Sequence, residues 1–307
     1  MFFLFHILKK ELETKKLCIL HPFWSTLSWL MIQLPLELSC LPVNETWLAL
    51  MIGNSRLHWA WFVDDTLQEA WDTNHLSEAA VQQLLQRWVS GIIPEEILPR
   101  LLIAQQLDIP RHLPLYIASV VPTQTKLWAT YPITKLITLA HIPLSGVYPT
   151  LGIDRALAVL GAGETLGYPV LVIDAGTALT FTGADIHQRL IGGAISPGLG
   201  LQLQSLGQRT AALPAIQLPS HLPSRWAIET PAAIESGVIY TVLAGIRDFI
   251  EDWTCQFSNS QIALTGGDSA VLLTYLQAQF PNTAHQIIAD PHLIFWGMRL
   301  VRLKLAG

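Results

Sequence analysis

The stretch "PVLVIDAGTALTF", Pro169–Phe181, decides the fold. An apolar run rich in β-forming residues leads into a turn of small residues, and a second such run follows. This pattern predicts two strands joined by a tight turn. Small residues let the backbone N–H groups of the turn approach a phosphate, and Thr177 adds a hydroxyl donor. The carboxylate of Asp174 suits a cation ligand, but it also suits an ordinary hairpin whose aspartate caps its own turn. The motif alone leaves both interpretations open.

The same unit occurs upstream in "WLALMIGNSRLHWAWF", Trp47–Phe62. When Gly53 is aligned with Gly176, Met51 falls opposite Asp174, so the acid is present in the second copy and absent from the first. Two strand–turn–strand units that each open a mixed segment predict a duplicated α/β fold. We expect a cleft between the two halves.

The remaining sequence fits two such domains, which we expect over residues 46–167 and 168–307. Each domain carries one of the two turns. The spacing of apolar residues predicts the other elements. These are helices at Glu78–Trp88, from near Gly152 or Asp154 onward, at Ala232–Trp253 and at Pro291–Leu305, and strands at Leu115–Val121 and before Gly266.

Residues 1–45 differ from the rest of the chain and form an N-terminal extension. The run "LCILHPFWSTLSWLMIQLPLEL", Leu17–Leu38, carries no charge before Glu37 and is long enough to cross a bilayer, which takes about 20 residues. Histidine, proline and hydroxyl side chains interrupt it, and no signal-peptide cleavage pattern follows. We therefore favour an irregular extension, or a misassigned start, over a membrane anchor.

The composition narrows the class of protein. Hydrophobic residues make up 51% of the 307 residues and charged ones 13%, which predicts large two-sided cores and an oligomer interface. The net charge is -5 and no basic cluster occurs, which argues against a nucleic-acid partner. Cys18, Cys40 and Cys255 form no CxxC and no metal-ligand spacing, a pattern typical of a reducing cytoplasm.

A second candidate motif is "GIDRALAV", where Asp154 and Arg155 lie at a predicted helix start. An aspartate there satisfies free N–H groups and the helix dipole. Alternatively, its carboxylate takes a proton from a substrate hydroxyl while Arg155 pairs with a substrate carboxylate or a phosphoryl group. These residues alone favour the capping role.

Two glycine-rich segments complete the set of candidate turns. "IGGAISPGLG", Ile191–Gly200, precedes a predicted helix, where glycines either expose the backbone to an anion or allow tight packing. "LTGGDS" places Gly266 and Gly267 after a strand, where they leave room for a flat adenine ring. The chain has no GxxxxGKS/T loop, no HExxH pattern and no GxSxG elbow, so site chemistry has to come from these dispersed turns.

In order and spacing, the motifs between Leu151 and Pro214 resemble those of type III pantothenate kinase. That family belongs to the acetate kinase–sugar kinase–Hsp70–actin superfamily. The matching strings are G-x-D-R, D-x-G-T, G-G-A-I-x-P-G and R-T-A-x-L-P, and the similarity runs from about Trp47 to the C-terminus. The resemblance implies two ribonuclease H-like (actin-like) domains. It also implies ATP-dependent phosphorylation of pantothenate to 4′-phosphopantothenate, the first step of coenzyme A biosynthesis.

The resemblance also implies a role for each matching residue. Asp154 corresponds to the catalytic base. The residues that correspond to pantothenate contacts are Gly152, Ile153, Arg155 and Thr210. Those that correspond to ATP contacts are Gly53, Asn54, Ser55 and Thr177. Asp174 corresponds to the ligand of a monovalent cation, potassium or ammonium. The family further implies ATP with magnesium as the phosphoryl donor and a homodimer with its sites near the interface.

The first turn departs from the family pattern D-x-G-N-T-x-x-K. Met51 replaces the aspartate, Ser55 the threonine and His58 the lysine. Because ATP brings most ligands of its own metal ion and Asp174 remains in the duplicate turn, we expect turnover to persist with weak ATP binding. The missing acid also fits a catalytically weak pseudokinase or regulatory binding protein of the same fold. A phosphatase acting on polyphosphate is a further alternative.

Overall fold

The computed structural model describes residues 45–92, 97, 113–209, 213–214 and 216–306. The predicted N-terminal extension lies outside these residues except for Glu45. The predicted substrate residue Thr210 lies outside them as well. The predicted boundary between two domains at residue 167 stays a prediction.

The first half of the described chain holds one sheet and the helices around it. In chain order its elements are β1 (Thr46–Ile52), β2 (Leu57–Val63), β3 (Thr66–Thr73), α1 (Glu78–Val89), β4 (Leu115–Ser119), α2 (Pro122–Trp128), β5 (Thr134–Leu136), a 3-10 turn (Leu139–His141) and α3 (Ile153–Leu166).

The second half repeats this order of strands. Its elements are β6 (Val170–Ala175), β7 (Ala178–Ala184), β8 (Leu190–Pro197), α4 (Leu199–Arg209), α5 (Thr230–Gln256), β9 (Gln261–Thr265), α6 (Ser269–Gln279), α7 (Pro281–Ala284), β10 (Ile287–Ala289) and α8 (Leu293–Ala306). The helices and strands expected from the sequence all occur, and their ends differ by a few residues.

The two sheets have the same topology. One has the strand order β3-β2-β1-β4-β5, and the other, read in the same direction, has β8-β7-β6-β9-β10. In each sheet, the three strands that come first in the sequence pair antiparallel with one another in succession. The next strand in the sequence pairs parallel with the first of these three. A three-strand meander followed by parallel strands is the ribonuclease H-like arrangement, so the prediction of a duplicated actin-like α/β fold is confirmed.

Apolar cores on both faces of the sheets account for the high hydrophobic content. One core lies among β1, β6, α3 and α8 and joins the two sheets. A second packs the other face of the first sheet against α1 and α2 and buries Trp59, Trp88 and Trp128 completely. A third packs the second sheet against α5 and α6. The free energy gained by burying these side chains holds the ends of β1 and β6, and therefore the two turns, in place.

Within the residues that the structure describes, none of the helices combines the length and the apolar character needed to cross a bilayer. The apolar run at Leu17–Leu38 lies outside those residues.

Candidate active site

The two predicted phosphate turns lie side by side. Ser55 Oγ on the first turn and Thr177 Oγ1 on the second share a hydrogen bond of 2.8 Å, although 122 residues separate them in the chain. The first turn is closed by the N–H of Gly53 donating to Arg56 O at 3.0 Å, and the shorter second turn by the N–H of Gly176 donating to Ala178 O at 3.1 Å. Both hydroxyls are at the surface. The fold thus brings together the two turns that the sequence aligned.

Asp174 is the penultimate residue of β6, just before the second turn. It packs against the turn after β9, where Gly266 has a φ of +92° and a Cβ would lie 2.4 Å from Asp174 Oδ1. Only glycine fits this place, because a side chain would collide with the carboxylate and strain the backbone. The pKa of Asp174 is raised to about 6, first by burial and then by the neighbouring carboxylate of Asp154, against a lowering effect of His58.

Asp154 is the second residue of α3, whose N-cap is Gly152. Its Oδ1 accepts a hydrogen bond from the N–H of Arg155 at 2.8 Å, so the carboxylate satisfies a free donor of the first helical turn. A Cβ on Gly152 would lie 2.3 Å from that oxygen. The G-x-D spacing therefore lets the carboxylate fold back over the helix start, where it interacts electrostatically with Asp174.

Arg155 is buried, with 7% of its surface exposed. Its Nε donates to Thr182 Oγ1 at 2.9 Å, Nη1 to the hydroxyl of Tyr148 at 3.3 Å and Nη2 to Phe181 O at 3.3 Å. Among the described residues no carboxylate pairs with this guanidinium. A buried cation whose partners are all neutral favours the binding of an anion from outside the chain.

A cavity of about 670 Å³ opens at the start of α3, and Gly152 and Ile153 form part of its wall. The rest of the wall is mostly apolar and includes the hydroxyl side chains of Ser119, Thr125 and Thr138. A largely apolar pocket with a few polar groups is the usual form of a small-molecule site. Its position beside Asp154 makes it the candidate acceptor pocket.

Met51, which stands where the family pattern has an aspartate, lies in an apolar environment. Met51 is 2% exposed and belongs to the core shared by both sheets. It pairs with His58 on β2 and with Ala118 on β4. A methionine thus fills the space that an aspartate would need to share with water or a metal ion.

Three residues at the site were not predicted from the sequence. Tyr148 contacts Arg155, and its only sequence signal is a position six residues before Asp154 in a proline-containing loop. Asp72 binds His58, and His75 Nε2 lies 2.9 Å from Gly53 O, where it donates because a carbonyl oxygen only accepts. Nothing in the sequence places either residue at the first turn, because only strand register and packing bring them there.

Comparisons with known proteins identify the family of the chain. The family model described as type III pantothenate kinase matches residues 47–252. A type III pantothenate kinase of Nostoc sp. is 52% identical over 264 residues, which is 84% of this chain and 95% of that protein. The corresponding kinases of Synechocystis sp. and Gloeobacter violaceus are 44% and 40% identical and are covered over 91% and 96% of their lengths, against 84% and 82% of this chain.

Among solved structures, a conserved protein of the Baf family of transcriptional activators from Campylobacter jejuni superposes with a TM-score of 0.55 at 20% identity. The match covers 84% of this chain and 98% of that one, and it supports the fold alone. The family model and the sequence relatives, together with the paired turns and the GIDR helix start, lead to one conclusion: the chain belongs to the type III pantothenate kinase family.

Proposed function

We propose that this chain transfers the γ-phosphoryl group of ATP to the hydroxyl of pantothenate, giving 4′-phosphopantothenate at the start of coenzyme A synthesis. ATP with a divalent metal ion is the donor. The observation that carries the proposal is the hydrogen bond between Ser55 and Thr177, which joins two phosphate turns beside the carboxylates of Asp154 and Asp174. Family membership supplies the identity of the acceptor.

The two turns bind the phosphates of ATP. Gly53, Asn54 and Ser55 offer backbone N–H groups and small or polar side chains at the first turn, and Thr177 offers a hydroxyl at the second. Ser55 and Thr177 exchange their mutual hydrogen bond for bonds to phosphate oxygens. Phosphoryl transfer depends mainly on positioning and charge stabilisation, so two converging turns supply most of what the donor side needs.

Asp154 is the base. Its Oδ1 is held by the N–H of Arg155, and the residue follows Gly152 and Ile153, which line the cavity where the acceptor enters. A carboxylate in this position orients the pantothenate hydroxyl and accepts its proton as the oxygen attacks the γ-phosphorus.

Arg155 binds the carboxylate end of pantothenate. Its guanidinium is buried and reaches neutral oxygens only, and Arg has donors left after those contacts. An incoming carboxylate would compensate the cost of the buried charge with charge-assisted hydrogen bonds. Gly152, Ile153 and Thr210 are the other proposed acceptor contacts.

Asp174 binds a monovalent cation, potassium or ammonium. The residues fit such an ion because two partly buried carboxylates repel one another there and no lysine or arginine of the described chain pairs with either. Carboxylate oxygens are suitable ligands for hard cations. When bound, the ion reduces the repulsion between these carboxylates and the phosphates.

The active form is a cytoplasmic homodimer. β8 is the edge strand of the second sheet, and Ile191 and Ile195 on it are 42% and 65% exposed. Leu201 and Phe249, on α4 and α5, are exposed by 44% and 41%. Apolar side chains on an open sheet edge favour association with a second copy.

The test is pantothenate-dependent ADP formation by the purified full chain with magnesium, with and without potassium. Turnover that requires pantothenate and increases with potassium is expected. Nucleotide binding without turnover at millimolar ATP would instead identify a pseudokinase. Phosphate release without pantothenate would identify a phosphatase.

A further inference from the structure

His75 holds the first phosphate turn from outside that turn. It lies in the connection between β3 and α1, 22 residues after Gly53, and its Nε2 is 2.9 Å from Gly53 O. Because a carbonyl oxygen only accepts, Nε2 carries the hydrogen of this bond, and a neutral ring is sufficient to supply it. The ring is half-buried, so the bond is partly shielded from water.

This bond sets the direction of the next N–H group in the turn. Gly53 O and the N–H of Asn54 belong to one planar trans peptide, so the two point in opposite directions. With the oxygen held at His75, the N–H is directed away from the ring. Among the described residues it has no backbone acceptor, whereas the N–H of Gly53 is used to close the turn. Asn54 is also exposed, so its N–H is available to an anion.

A peptide that follows a glycine needs such an anchor. Glycine accepts backbone conformations that other residues avoid, so the peptide after Gly53 turns over at little cost. In the reversed orientation Gly53 O would face the turn, and its partial negative charge would repel a phosphate. The bond from His75 favours the orientation that an anion requires.

The surroundings of His75 leave Nε2 as the bonded end of the ring. The other nitrogen, Nδ1, is buried and has no hydrogen-bond partner among the described residues. Burying a polar atom in this way is unfavourable, so the ring gains nothing from that end. The connection itself is held in place on both sides. The side-chain amide of Gln124 on α2 donates to Leu76 O at 3.4 Å, and Ser77 caps α1.

We infer that His75 is a positioning residue of the nucleotide site, which holds Gly53 O so that the N–H of Asn54 is presented to the phosphates of a nucleoside triphosphate. This inference rests on the proposed kinase function. His75 acts through the peptide and does not contact the nucleotide, so its action needs no charge on the ring. The next residue, Ser55, contacts Thr177, which places the presented N–H beside the meeting point of the two turns.

Calorimetric titration with a non-hydrolysable ATP analogue and magnesium tests this role with two substitutions. The amide nitrogen of a glutamine reaches as far as Nε2, whereas that of an asparagine reaches only as far as Nδ1. His75→Asn should raise the Kd of the analogue about five- to tenfold, because a charge-assisted hydrogen bond to phosphate is weakened. His75→Gln should stay within about twofold of the natural chain. The KM for pantothenate should change in neither.

His187→Asn is the matched control for these substitutions. His187 is exposed on the β7–β8 connection, and its hydrogen bond is made by its backbone N–H. The same change of side chain at this place should leave the Kd of the analogue unchanged. Thermal melting of each variant checks that it folds.

The amide signal of Asn54 in a nuclear magnetic resonance spectrum provides a readout that a merely structural role would not move. In a chain isotope-labelled at asparagine, the analogue should shift this signal downfield in the natural chain and in His75→Gln, because the N–H binds a phosphate oxygen. The shift should be smaller in His75→Asn. If His75→Asn does not fold, the natural chain still decides, since an Asn54 signal that the analogue leaves in place overturns the inference.

Three results of the titrations would also overturn it. They are equal affinity of His75→Asn and the natural chain, an equal loss in His75→Gln and His75→Asn, and a rise in the KM for pantothenate as large as the rise in the Kd of the analogue. The kinase proposal fails separately, if the natural chain binds the analogue but forms no ADP with pantothenate. The affinity measurements decide the role of His75 in either case.

Discussion

Met51 and Asp174 occupy the same position in the two copies of one sheet, yet their environments are opposite. Each is the penultimate residue of the first strand of its sheet and pairs with the equivalent positions of its neighbours, His58 and Ala118 in one sheet and Thr180 and Thr265 in the other. Met51 is buried among apolar side chains. Asp174 lies beside a second carboxylate and carries a raised pKa. The two copies thus share the same strand pairing at this position, but only the second copy carries a carboxylate there.

Replacing Met51 with an acid tests this difference. We expect Met51→Asp to lower the free energy of unfolding by about 2–4 kcal/mol, because a carboxylate enters an apolar core without a partner. Urea denaturation measures the change. Met51→Leu, which keeps the volume and the apolar character, should cost less than about 1.5 kcal/mol. A Met51→Asp chain as stable as the natural one would show that the site accommodates an acid.

Removing the charge of Asp154 tests its role as base. Asp154→Asn should lower kcat by about 10²–10⁴ while the affinity for an ATP analogue stays unchanged. Stability should change little, because the amide oxygen still accepts the N–H of Arg155. Asp154→Ala, which loses that bond, should also cost about 1 kcal/mol in unfolding. Equal kcat values for Asp154→Asn and the natural chain would exclude the residue as base.

The contribution of Asp174 to the free energy of unfolding should become less favourable as the pH rises. Its pKa is about 6 in the folded chain, against a usual value of 3.8. Because the folded value is the higher one, its stabilising contribution is complete below pH 3.8 and is lost as the pH rises through about 6. At pH 7, Asp174→Asn should therefore be more stable than the natural chain by up to about 3 kcal/mol, measured by urea unfolding.

Potassium provides the control for this prediction. If Asp174 binds the ion, added potassium should raise the Tm of the natural chain and leave that of Asp174→Asn unchanged, since an ion that binds only the folded state stabilises it. Sodium at the same ionic strength separates specific binding from screening. An equal response of both chains to potassium would contradict a site at Asp174.

The contact between Ser55 and Thr177 predicts coupling between the two turns. Ser55→Ala and Thr177→Val should each raise the KM for ATP several-fold, because each removes a hydroxyl that donates to phosphate. In the absence of nucleotide, the double variant should show a coupling of about 0.5–1 kcal/mol in unfolding, as expected for an exposed hydrogen bond. Additive effects on stability would mean that the two turns do not hold one another without ATP.

The sequence by itself determined the elements and the order of the motifs. Apolar periodicity and small-residue turns are local signals, so β1–β2, β6–β7 and α3 were predictable, as was the duplication that aligns Gly53 with Gly176. The fold class followed from the same pattern, because two equal strand–turn–strand units can bury their apolar faces only in two similar sheets.

Only the tertiary structure decided which side chains meet. Asp72 reaches His58 through the register of β2 and β3, and Ser55 reaches Thr177 through a core that both sheets share. The burial of Met51 and the raised pKa of Asp174 arise from neighbours far away in the chain. Contacts of this kind depend on packing and on the exclusion of water, and neither leaves a periodic mark in the sequence.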